Sequence, residues 1–100
     1  MKTRKIIAKI VKHVGSDAGK KTRRKWDAEI ASDPEACLFN RHHVDEDDTE
    51  DWTWPEAQST KAARKAEKKL LALGFDGGPG GGDKDTHFLY AYRKTSRTSS

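Results

Sequence analysis

One hundred residues, 33% of them apolar and 36% charged, allow one small domain with one core and leave no room for a second. The single cysteine, Cys37, excludes an internal disulfide, and secreted domains of this size usually carry several, so a reducing, cytoplasmic setting is expected. The net charge of +4 conceals a segregation: residues 1–26 hold ten Lys/Arg against one acid, residues 27–56 eleven acids against one base, and residues 57–100 nine bases against four acids. A chain that reads basic, acidic, basic suits a polyanion-binding surface with an acidic counterweight, or two faces for different partners.

The first element, residues 4–14, reads two ways. Ile7, Ile10, Val11 and Val14 have helical spacing, while Ile6, Ala8 and Ile10 alternate as in a strand. β-branched residues and cations at the start weigh against a helix, so a strand is favoured. Lys9 and Lys12 interrupt the run, so it is not expected to serve as a signal peptide, and no segment reaches the roughly 20 apolar residues of a membrane span. After a Gly-containing loop, Trp26, Ala28 and Ile30 alternate with charges and predict a strand, hence a hairpin with the first. Leu38 and Phe39 suggest a short third strand, and Asp45 to Asp51 is a solvated acidic loop.

Thr53 and Glu56 form a capping-box pattern around Pro55, predicting a helix over 54–73 that stops at Gly74, with Phe75 placed against Leu70. Ala62, Ala66, Leu70 and Leu73 form its apolar stripe, with Lys61, Arg64, Lys65 and Lys68 on the outer face. Residues 76–85 read as a glycine-rich connection, residues 88–92 alternate as a strand, and residues 96–100 as a flexible tail after a domain spanning 1–95. The expected fold is α+β: a small antiparallel sheet of three to four strands with one helix on one face.

For function, two surfaces stand out. Lys20, Lys21, Arg23, Arg24 and Lys25, with Lys2, Arg4, Lys5 and Lys9 and the helix cations Lys61, Arg64, Lys65 and Lys68, would neutralise phosphates, and Trp26 would stack on a base. A solvated loop would carry the same charges. The acidic stretch Asp45, Glu46, Asp47, Asp48, Glu50 and Asp51, beside Trp52, suits a basic groove on a protein, as in a small phage- or mobile-element-type inhibitor or adaptor that imitates a nucleic-acid backbone. Trp52 and Trp54 would otherwise lock the helix entry. Phe88, Tyr90 and Tyr92 are either core or, if the helix covers the Leu89 face, a base-stacking platform.

No metal or cofactor is expected: His42 and His43 are adjacent beside Cys37, which does not make a tetrahedral set, and the glycine run follows a helix rather than preceding one. Acid–base chemistry would rest on His13, His42, His43 and His87, with no motif fixing their geometry. The expectation is a non-enzymatic binding protein for nucleic acid or a nucleoprotein, with no membrane contact.

Overall fold

In a computed structural model describing residues 1–77 and 86–99, the first element is a helix, α1 (Thr3–Val14), not the expected strand. The reason is burial. Ile6 and Ile10, one turn apart, are both fully buried, with Ile7, Val11 and Val14 packed beside them. Helix propensity costs a β-branched residue at most about 0.7 kcal/mol relative to alanine. Burying one isoleucine returns about 1.5–3 kcal/mol, so tertiary packing decides. Gly15, at φ 126°, ends the helix.

A four-residue helix, α2 (Lys20–Arg23), leads into β1 (Trp26–Ala31). With α1 helical, the expected hairpin is absent; β1 instead pairs antiparallel with β3 (Phe88–Arg93), from Trp26 opposite Arg93 to Ala31 opposite Phe88. The predicted third strand is a π-helical segment, Ala36–Arg41. Asp33 starts it, its carboxylate accepting from Ala36 N at 3.1 Å, and His42 N donates to Cys37 O five residues back at 2.9 Å. The acidic loop closes in a 3-10 turn, Thr49–Asp51, before the two-residue strand β2 (Trp52–Thr53). The sheet order is β1-β3-β2, antiparallel throughout, so the expected α+β class holds.

The predicted helix is real but begins later: α3 is Thr60–Ala72. Its cap is Ser59, whose Oγ accepts from Ala62 N at 3.1 Å, not Thr53. Thr53 to Ala57 are occupied elsewhere. Thr53 pairs with Ala91, Pro55 O accepts from Leu89 N (3.1 Å), and Ala57 N donates to His87 O (2.6 Å), an extended course along β3. The C-terminus is as expected: Phe75 N donates to Leu70 O and Gly74 N to Leu71 O, both at 3.1 Å, with Gly74 at φ 111°.

α1 and α3 lie on one face of the sheet, over Trp26, Ala28, Ile30, Leu89 and Ala91. They start together, Thr3 Oγ1 donating to Ala62 O (3.1 Å) and Gln58 N to Met1 O (2.8 Å). The opposite face carries Asp27, Glu29, Tyr90 and Tyr92 and is covered by residues 36–44 through Leu38 and Val44. The C-terminal segment, expected to fray, returns to this face, where Ser99 N donates to His42 O at 2.7 Å. The glycine-rich connection lies, from residue 78 to 85, outside the described residues. Among the described residues no helix is long and apolar enough to cross a membrane.

Candidate nucleic-acid interface

Every charged side chain on α1 and α2 is a cation, and the one acid of α3, Glu67, is buried. Apolar positions turned inward leave the cations outward, because the helices bury the stripes that alternate with them. Between α1 and α3 runs a groove of about 890 Å³, floored by Thr3, Ile7 and Ala72 and rimmed by Arg4, Lys65, Lys68 and Lys69. Lys61 and Arg64 are exposed on α3. Lys65 and Lys68 thus lie beside Arg4, as the expected cationic surface has it, and Lys69 joins them as a residue that expectation leaves out. Its spacing, four residues after Lys65, was the available signal.

The block Lys20 to Trp26 divides. Lys20, Lys21, Arg24 and Lys25 are exposed at the C-terminal end of α3, where cations also meet the negative end of its dipole. Arg23 is half-buried and donates from Nη1 to Leu73 O at 3.2 Å, so it caps α3 rather than awaiting a phosphate. Trp26 is 5% exposed, its ring edge-on to His13 at 5.8 Å, and cannot stack on a base. Arg24 also lies near Asp76, whose carboxyl is held below its ordinary value chiefly by the hydrogen bond from Lys94 and then by Gly77 N.

On the opposite face the two tyrosines are no platform, although the helices do cover the Leu89 side. Tyr90 and Tyr92 are 1% and 0% exposed and stand directly opposite Glu29 and Asp27 on β1. Tyr90 donates to Glu29, and Tyr92 donates to Asp27 Oδ2 at 2.7 Å. Buried His42 stacks on Tyr92 at 4.8 Å; its Nδ1 donates to Ser99 O (2.7 Å), and its Nε2 lies 2.9 Å from Tyr90 Oη and 3.5 Å from Glu29 Oε2.

Burial, then the Glu29 and Asp27 hydrogen bonds, push both phenols far above their ordinary value. Burial likewise raises the Cys37 thiol, partly offset by Arg41 and by a hydrogen bond with Tyr90. Sequence reasoning missed this cluster. Its signal was the alternation of acids on residues 27–29 and tyrosines on 90–92, which only the strand register joins.

The four histidines do not form one cluster: His13 donates from Nε2 to Glu50 O (3.0 Å), enclosed His42 and exposed His43, the latter at φ 57°, both bond Ser99, and His87 lies beside Ala57. Among the described residues no group of three or more His, Cys, Asp or Glu is placed to hold a metal ion.

The acidic stretch is unevenly presented. Asp51 is paired with Arg93 (Oδ1 to Nε 3.0 Å), Asp48 is half-buried, and Asp45, Glu46, Asp47 and Glu50 are exposed. Trp52 donates from Nε1 to Glu46 O (3.3 Å), stacks on Trp54 at 5.0 Å and meets Phe39 edge-on at 5.2 Å. Trp54 therefore belongs to this cluster rather than to the entry of α3. These features define a two-faced α+β domain with a cationic helical layer. No family model, curated protein or solved structure matches the chain.

Proposed function

We infer that this protein is a non-enzymatic nucleic-acid-binding domain that holds the phosphate backbone of a duplex through its helical layer. What carries the reading is the groove between α1 and α3, rimmed by Arg4, Lys65, Lys68 and Lys69 with no acid along it. Exposed Lys20, Lys21, Arg24 and Lys25 extend the surface beyond the end of α3. Neutralising phosphates there releases counterions, the main source of sequence-independent affinity.

The duplex preference rests on where the rings are. α1, α2 and α3 contain no Phe, Tyr or Trp, and Trp26, Tyr90 and Tyr92 are buried. Single-strand binders depend on stacked bases as well as charge, whereas a layer offering cations alone favours the denser charge of a duplex. The alternative, an inhibitor imitating a nucleic-acid backbone with Asp45 to Asp51, is weakened by the Asp51–Arg93 pair and by half-buried Asp48, which break the row of charges.

The test is fluorescence anisotropy with labelled random duplex and single-stranded oligonucleotides over a salt series. Duplex affinity should be the higher and should fall steeply with salt. K65E/K68E should lower the salt slope by roughly two. Absence of duplex binding at low salt would overturn the reading.

A further inference from the structure

The Phe39, Trp52 and Trp54 cluster lies on the face of the sheet away from α1 and α3, packed on the Tyr90/Tyr92 layer. All three rings are partly exposed, as is Phe88, whereas Trp26, Phe75, Tyr90 and Tyr92 are almost completely enclosed. Grouped aromatic surface left open to water is characteristic of an interaction site. Trp52 belongs to β2, the outer strand, which among the described residues pairs only with β3.

The surrounding charge selects the occupant. Glu46, Asp47 and Glu50 are exposed and, among the described residues, have no cation partner, whereas Asp51 is neutralised by Arg93. We propose that this aromatic and acidic surface docks an arginine-rich segment of a partner protein, guanidinium groups lying against Trp52 and Trp54 while Glu46, Asp47 and Glu50 accept their hydrogen bonds. Arginine suits both halves of such a site, because its planar cation stacks on indoles and its fork matches carboxylates. Nucleic acid is repelled by the same carboxylates. The surface touches the helical layer where His13 donates to Glu50 O, and it stands whether or not that layer binds a duplex.

The experiment titrates the whole protein with nona-arginine and nona-lysine peptides, reading affinity by calorimetry and contact by tryptophan quenching. The proposal requires nona-arginine to bind about threefold more tightly than nona-lysine, the preference a partly exposed cation–π contact provides. E46Q/D47N/E50Q should weaken both peptides at least tenfold. W52L should erase the preference for arginine, with circular dichroism showing that it is folded, while K65E/K68E should not weaken peptide binding, since it replaces only cations. Equal affinity for the two peptides, or a preference that survives in W52L, would overturn the aromatic role. Indifference to E46Q/D47N/E50Q would overturn the site. Self-association in sedimentation that both K65E/K68E and E46Q/D47N/E50Q abolish would identify the occupant as a second copy of this chain and contradict the proposal.

Discussion

The two layers on either side of the sheet are built by opposite means. On the helical side Ile6, Ile10, Leu70 and Leu89 make a mainly aliphatic interior, with polar contacts such as Thr3 Oγ1 to Ala62 O at its margin. On the other side Tyr90, Tyr92 and His42 fill the interior, held by Glu29, Asp27 and Ser99. The first interior draws its stability from area removed from water, which tolerates changes of detail. The second gains less per group, because each hydrogen bond replaces one to water, but it fixes geometry: every donor has a designated acceptor.

Substitutions separate the two means. The largest effect is expected from Leu89→Ala, which empties a fully buried site between α1, α3 and the sheet and should lower unfolding free energy by about 2–5 kcal/mol in urea denaturation. A loss below about 1 kcal/mol would mean that the aliphatic layer is not the main support. His42→Leu should cost about 1–3 kcal/mol, because Ser99 O loses its His42 donor and the Tyr90 hydroxyl keeps Glu29 but not His42, without loss of volume. It should also free the C-terminal segment, seen as lost exchange protection of the Ser99 amide. Retained protection would show that the tail is held by other contacts.

Alkaline pH gives the smaller, sharper comparison. Tyr90 and Tyr92 are held above the ordinary tyrosine value, so the folded chain keeps phenolic protons that the unfolded chain releases above about pH 10. Their contribution is complete below that pH and is lost as pH rises toward the raised folded values. The urea midpoint of the wild type should therefore fall between about pH 9 and pH 11. The decline should be shallower in Y90F/Y92F, which starts from a lower midpoint because Glu29 and Asp27 lose their donors. Equal slopes in both proteins would remove the tyrosines from the alkaline transition.

Legibility in the sequence follows the same division. β1, β3 and the end of α3 were readable because their signals are local: alternation over Trp26–Ile30 and Phe88–Tyr92, and a glycine after the apolar stripe. α1 was misread because its β-branched residues argue locally for a strand, and only the partner surface of α3 and the sheet decides otherwise. The start of α3 was misread because Thr53 and Glu56 imitate a cap whose backbone groups β3 had already taken. Of the candidate sites, the exposed lysines were legible from composition. The roles of Arg23 and Trp26 were not, since each is set by a contact across the fold, to Leu73 and His13.

The central claim, that the two faces serve different partners, is tested most directly by amide and indole chemical-shift mapping during titration with a random duplex. Shifts should concentrate at Arg4, Lys65, Lys68 and Lys69, with the Trp52 and Trp54 indole signals unmoved. Shifts centred on Trp52 and Trp54, or spread evenly over both faces, would contradict it.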